Sequence, residues 1–321
     1  MQGLVIRNTG SHYRVRTIEG TYYDCRVKGN FRLRELRSTN PVTVGDVVTF
    51  EPATGEGGER CGWITDINDR RNCIVRRASN LSKQSHVLAA NVDQCLLLVT
   101  VDYPETSTTF IDRFLATAEA YRIPVHIVIG KADLYDSQRM QAAVRLASLY
   151  EGIGYPCHLV SLTTPATEID DTPTWDNAFS LLSFLDGRTT LLSGNSGVGK
   201  STLLNMLVPG TAQRTAAISD VHNTGMHTTT YSEMFPLPAG GWLIDTPGIK
   251  GFGTFDMERG EVSHYFRELF ALAAGCRYTN CTHIHEPGCA VLRALEEERI
   301  APTRYASYLS MLDDKDESKY R

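Results

Sequence analysis

The segment Gly194-Asn195-Ser196-Gly197-Val198-Gly199-Lys200-Ser201 constrains this chain more than any other. It fits G-x-x-x-x-G-K-[ST], a phosphate-binding loop, provided that a strand leads into it and a helix leads out. Thr190, Leu191 and Leu192 read as the end of such a strand, and Thr202 to Leu207 as the opening of a helix whose free N–H groups face an anion. Glycines let the backbone wrap closely around phosphate oxygens. Lys200 then neutralises the β and γ phosphates, and the Ser201 hydroxyl is a hard oxygen ligand for Mg²⁺. A P-loop alone separates neither ATP from GTP nor a kinase from a hydrolase, so the discriminating residues lie elsewhere.

Asp245-Thr246-Pro247-Gly248 closes the apolar run Trp242-Leu243-Ile244, 44 residues after Ser201. That is the place of the D-x-x-G whose Asp holds Mg²⁺ and whose Gly amide meets the γ phosphate. Upstream, Gly130-Lys131-Ala132-Asp133 follows the strand-like run 125–129, where a GTPase carries N-K-x-D. A carboxylate at Asp133 accepts hydrogen bonds from guanine N1–H and N2–H₂, a pattern adenine cannot supply. Ser161 follows the next apolar run and is placed like the short motif whose backbone supports the base. Here the base-recognition residues precede the P-loop, the reverse of the ordinary GTPase order. Circular permutation explains the swap, because moving the termini leaves the sheet and its crevice intact.

The rest of the chain divides around this core. At 321 residues it is long enough for two or three domains, and no apolar run approaches a membrane span. The first residues lack the charged and apolar regions of a secretion signal, so a cytoplasmic protein is expected. Residues 1–85 hold 14 Lys+Arg and 9 Asp+Glu, the remainder 18 and 28. A basic module on an acidic body suits a polyanionic partner. Residues 1–77 read as short β segments with a two-residue period, as at Tyr13 and Val15 against Arg14 and Arg16, which predicts an OB-type barrel. Residues 78–90 read as a linker. Residues 78–250 as a whole alternate apolar strands with helical stretches, which predicts a parallel sheet covered on both faces. Residues 251–321 are mainly helical around Cys276, Cys281, His283 and Cys289, a Cys3His set of the right size for a closed tetrahedral zinc site. His285 competes with His283 for the fourth position. The other cysteines, Cys25, Cys61, Cys73, Cys95 and Cys157, are scattered and read as small buried hydrophobes.

Taken together, the basic β module, the permuted motifs and the Cys-x4-Cys-x-His-x5-Cys cluster give a sequence that resembles the RsgA, or YjeQ-type, family of circularly permuted GTPases over essentially its whole length. The resemblance implies an OB-fold, a permuted GTPase domain and a zinc domain that act on the 30S ribosomal subunit and its 16S rRNA late in maturation. It also implies hydrolysis of GTP to GDP with Mg²⁺, one structural Zn²⁺, and a monomer away from membranes. One departure stands out. The family's N-K-x-D begins with an Asn that bonds towards the base and braces the P-loop, and this chain has Gly130.

Where many small GTPases place a water-orienting Gln after D-x-x-G, this chain has Ile249, so slow intrinsic turnover is expected. Gly225-Met226-His227-Thr228-Thr229-Thr230 resembles the family's G-x-H-T-T-T switch. There Thr229 or Thr228 meets Mg²⁺ beside Ser201 and Asp245, and His227 is the candidate to position water beside Lys200. For RNA, the barrel offers Arg14, Arg16, Arg26, Lys28, Arg32, Arg34 and Arg37 with Tyr13, Tyr22, Tyr23 and Phe31 between them. The rival reading is an RNA-binding module in which nucleotide is only a structural or signalling ligand.

Overall fold

A computed structural model of the chain describes residues 1–28, 41–55, 57–77, 85–162, 176–208, 232–245 and 257–317. The first five strands are β1 (Gln2–Asn8), β2 (Tyr13–Arg16), β3 (Tyr22–Val27), β4 (Val47–Thr54) and β5 (Arg60–Ile67). They follow in the order β1-β2-β3-β5-β4, β4 pairs back onto β1, and β3 runs parallel to β5. That closure is the OB-type barrel predicted from the alternation. Tyr13 and Val15 point inward with Val5, Cys25, Val48, Phe50 and Ile64, while Arg14 faces solvent.

β6 (Cys73–Arg77) and β7 (Ser85–Ala90) form a separate antiparallel pair. Half of the stretch read as a linker is therefore a strand. Its polar neighbours hide the signal in the sequence, and burial decides the matter: Ile74 and Ala89 are fully enclosed in the same core as Cys95 and Leu97. The Tyr121 hydroxyl donates to Val75 O (3.1 Å) and accepts from Val75 N (3.2 Å), fastening the pair to the α/β body.

That body comprises β8 (Gln94–Val99), α1 (Thr108–Ala120), β9 (Val125–Ile129), α2 (Ser137–Gly152), β10 (Cys157–Ser161), β11 (Asp176–Asn177), α3 (Leu182–Leu185), β12 (Thr189–Gly194), α4 (Lys200–Leu207), β13 (Glu233–Pro236) and β14 (Trp242–Asp245). The strands lie in the order β11-β10-β9-β8-β12-β14-β13. All are parallel except β13, which runs against β14 and reaches the barrel through the pair Arg7↔Glu233. Every residue of β8 is buried, because one face of the sheet carries α1 and α2 and the other carries α3 and α4. The P-loop strand β12 lies between β8 and β14, so the later part of the chain pairs with the start of the body as permutation requires.

A 3₁₀ turn over Arg259–Tyr265 and the helices α5 (Arg267–Ala273), α6 (Ala290–Glu296) and α7 (Pro302–Glu317) complete the described chain. Residues 261–275 are not one continuous helix. Phe266 leaves helical geometry (φ −105°, ψ 103°) and buries its ring edge-on against Tyr308, 5.7 Å between centroids. This end is tied to the α/β body by charge. The guanidinium of Arg304, almost wholly buried, bonds Asp112 on α1 (2.9 Å) and both Glu268 oxygens (2.6 and 2.9 Å), with the Tyr150 hydroxyl donating to the same Asp112 oxygen (2.7 Å). Among the described residues no helix is long and apolar enough to cross a membrane.

Candidate nucleotide site and metal centre

The P-loop is built where two buried strands come close together. Gly194 ends β12 opposite Leu98, and a Cβ there would stand 2.3 Å from the Leu98 carbonyl oxygen, so only glycine fits. Gly199 caps α4 at φ 108°, a conformation that glycine adopts without strain. Between them Val198 is fully buried and anchors the loop, leaving Ser196 and Gly197 exposed and Asn195 half-buried. The Lys200 ammonium lies over the loop and donates to Gly194 O (2.7 Å) and Asn195 O (2.6 Å). Burial lowers its pKa, and the nearby Asp245 opposes that shift. Ser201 and Thr202 are exposed in the first turn of α4. Asp245 ends β14 beside Leu192, next to the P-loop strand. Ser201 and Asp245 thus bring a hydroxyl and a carboxylate, hard oxygens of the kind Mg²⁺ takes, to the same end of the sheet. His227, Thr228, Thr229, Gly248 and Ile249 lie outside the described residues.

The base-recognition residues stand at the carboxyl ends of β9 and β10, the same edge of the sheet. Gly130 N donates to Val99 O (2.9 Å), Lys131 takes a left-handed conformation (φ 64°), and a 3₁₀ turn over Ala132–Leu134 presents Asp133. Ser161, nearly buried, donates its hydroxyl to Asp133 Oδ1 (2.9 Å). The side chain of Ser161, not only its backbone, therefore orients the carboxylate. A Cβ on Gly130 would lie 3.6 Å from Val198 O and 3.9 Å from Val99 O, ordinary contact distances, so the missing Asn reflects no lack of space. The Lys131 ammonium donates to Tyr103 O. Sequence reasoning did not single out Tyr103, which meets this motif from beyond the end of β8, or Tyr135, which ends the turn itself, and no positional rule marks them.

In the metal centre, the donor atoms of Cys276, Cys281, His283 and Cys289 all lie within 4.8 Å of one another. His283 Nδ1 is 3.6 Å from Cys276 Sγ and 3.4 Å from Cys289 Sγ, and the two sulfurs are 3.9 Å apart. Tetrahedral zinc with ordinary bond lengths requires about 3.6 Å between N and S and about 3.8 Å between two sulfurs. The set could hold zinc with all four positions filled by protein. His285 is exposed and takes no part, while His283 is 2% exposed. Glu286, which sequence reasoning missed, braces the loop: its carboxylate accepts from Thr282 N (2.6 Å), Thr282 Oγ1, Ile284 N (3.0 Å) and His285 N (3.2 Å). Burial pushes this carboxyl up, but the Thr282 and backbone donors outweigh it and hold the group well below the usual range. From α7, Tyr305 and Tyr308 donate to the carbonyls of His283 (2.8 Å) and Thr282 (2.6 Å).

On the barrel, Arg14 lies over the exposed ring of Tyr22 (5.3 Å), and Arg26 sits in register with Trp63, itself 44% exposed. Arg16 turns to the ring of Trp242 (5.5 Å) and Lys28 to Glu51 (2.9 Å). Tyr13 is core and Tyr23 packs on Phe50 (5.1 Å), so among the described residues of this set Tyr22 alone offers an open face, with Trp63 added to it. Arg32, Arg34, Arg37 and Phe31 lie outside the described residues.

This is a circularly permuted P-loop GTPase with an OB-type barrel before it and a Cys/His centre behind it. The family model described as RsgA GTPase matches residues 67–255, and that of the RsgA N-terminal domain matches residues 2–59. A Bacteroides fragilis protein named small ribosomal subunit biogenesis GTPase RsgA is 58% identical over 100% of this chain and 99% of its own length. A Porphyromonas gingivalis protein of the same name is 54% identical over the same shares. Among solved structures, YjeQ from Thermotoga maritima superposes with a TM-score of 0.75 at 32% identity, over 98% of each chain. YloQ, described as a circularly permuted GTPase, gives 0.70 at 27% over 100% of this chain and 96% of its own. The chain belongs to the RsgA GTPase family and is a GTP hydrolase, an activity that uses Mg²⁺.

Proposed function

We propose that the protein binds the small ribosomal subunit through 16S rRNA, hydrolyses GTP there during late maturation, and leaves as GDP forms. The observation that carries the reading is the convergence of Lys200, Asp245 and the Asp133–Ser161 pair on one edge of one parallel sheet. Asp133 selects guanine; the amides from Gly194 to Thr202 hold the phosphates; Ser201, Asp245 and Thr229 would hold Mg²⁺, which supplies charge neutralisation at the γ phosphate. His227 orients the attacking water, in keeping with Ile249 standing where other GTPases carry a Gln. Zinc is structural, since four protein donors leave no place for substrate. The division 1–77, 78–250 and 251–321 assigns RNA gripping, nucleotide chemistry and zinc binding to successive parts. We place the protein in the cytoplasm, as a monomer. The names of its relatives and the basic barrel support the ribosomal part.

Co-sedimentation with purified 30S subunits tests this. Binding is expected with a non-hydrolysable GTP analogue and should weaken at least about tenfold with GDP, equivalent to roughly 1.4 kcal/mol of coupling. Equal pelleting in both states, or none in either, contradicts the proposal.

A further inference from the structure

Gly130 leaves the base-recognition turn without the side chain that would brace it, yet both polar groups of its flanking backbone are held. Its N–H donates to Val99 O (2.9 Å), and its carbonyl accepts from the Tyr135 hydroxyl (2.6 Å). The same hydroxyl accepts from Val101 N (3.1 Å). One phenol thus uses its proton on the base motif and a lone pair on the segment that continues β8, the strand against which the P-loop strand is paired. Burial pushes its pKa up to about 12, so it keeps the proton in ordinary buffers.

The contact also closes a ring in the chain. From Gly130 the backbone passes through Lys131 at φ 64°, bends in the 3₁₀ turn closed by Leu134 N→Lys131 O (3.0 Å) and Tyr135 N→Ala132 O (3.2 Å), and returns to Gly130 through the Tyr135 side chain. Asp133 sits at the far side of that ring, its carboxylate bonded to Ser161. A non-glycine residue at positive φ persists only where its surroundings over-determine it, and the Tyr135 bond to the preceding carbonyl is part of that constraint. We propose that Tyr135 is a positioning residue for guanine recognition: it closes the 130–135 turn that aims Asp133 and ties that turn to the segment continuing β8. This rests on the assignment of Asp133 to guanine.

Tyr135→Phe removes the hydroxyl and keeps the ring. Binding of fluorescent GDP should weaken about tenfold, as expected for loss of two modest hydrogen bonds. IDP lacks the 2-amino group and so forgoes one of the two bonds to Asp133. The preference for GDP over IDP should therefore shrink at least threefold, while kcat at saturating GTP stays within about twofold. Gly130→Asn, whose Cβ meets only ordinary contacts there, should restore most of the lost affinity in the Tyr135→Phe background and add less in the parent. An unchanged GDP/IDP ratio in Tyr135→Phe overturns the inference, and so does equal weakening of both nucleotides with a lowered melting temperature. Equal binding of GDP and ADP by the unsubstituted protein would sink the guanine assignment and the inference with it. Guanine selectivity that survives Tyr135→Phe intact would sink the inference alone.

Discussion

Lys200→Ala should lower kcat/KM for GTP by about a thousandfold, roughly 4 kcal/mol of transition-state stabilisation. The Lys200 ammonium, among the described residues, lies directly over the loop, on the carbonyls of Gly194 and Asn195. It is half-buried, and the cost of that burial is visible in its lowered pKa, so the charge is placed where a phosphate would repay it. Backbone amides still bind the ground-state phosphates, so GDP affinity should fall much less than turnover. Lys200→Arg should not rescue, because a planar guanidinium cannot replace a compact ammonium nested between two carbonyls. Single-turnover hydrolysis with GDP binding measured alongside separates the two effects. Turnover within about tenfold of the parent in Lys200→Ala would remove Lys200 from the reaction.

Stripping the zinc proposed for the Cys276–Cys289 centre, or replacing Cys289 by Ser, should cost the last domain its fold while sparing the sheet. The loop from Cys276 to Cys289 carries no helix or strand; beside the long backbone bonds Arg277 N→Gly288 O (3.2 Å), Cys281 N→Tyr278 O (3.3 Å) and Cys289 N→Glu286 O (3.3 Å), it is held by the Glu286 carboxylate and the metal donors. Sulfur also organises the helix that follows: Leu292 N donates to Cys289 Sγ and Ala290 N to Cys276 Sγ, each at 3.4 Å. Metal binding at such sites contributes roughly 10 kcal/mol, comparable with the whole stability of a small domain. Without it Tyr305 and Tyr308 lose fixed acceptors, and the buried Arg304–Asp112–Glu268 cluster loses its support from α7. Hydrogen exchange should show α6 and α7 opening while β8, β9 and β12 stay protected and GDP still binds. The metal content should fall from one zinc per chain to none. Full protection of α6 and α7 in a zinc-free sample would contradict this role.

The sequence was most legible where backbone geometry forces residue type. Gly194 and Gly199 are required by a close approach and a positive φ, and such requirements read directly as a motif. The barrel was legible because one inward and one outward residue alternate, as in β2. Strand β7 was not, since its burial depends on β6 and on the barrel segment that meets it through Thr43 Oγ1→Val87 O (3.1 Å) and Ala90 N→Val44 O (2.9 Å), and nothing within Ser85–Ala90 announces that. Phe266 breaks a helical pattern for the sake of a pocket made partly by Tyr308, 42 positions later in the chain. Glu286 and Tyr135 act through hydrogen bonds that only a folded turn brings into range. The family spacing favours His283 over His285, and the burial of His283 with its Nδ1 3.6 and 3.4 Å from the Cys276 and Cys289 sulfurs supports the same choice. The missing Asn at 130 could be read as a loss, but the hold of the Tyr135 hydroxyl on the Gly130 carbonyl could not.

GTP turnover, with ATP as control, in the absence and presence of purified 30S subunits tests the central claim most directly. The account predicts a slow rate selective for GTP that rises more than about tenfold on addition of subunits, a lowering of the barrier by roughly 1.4 kcal/mol or more. A rate indifferent to subunits, or equal consumption of ATP, would contradict it.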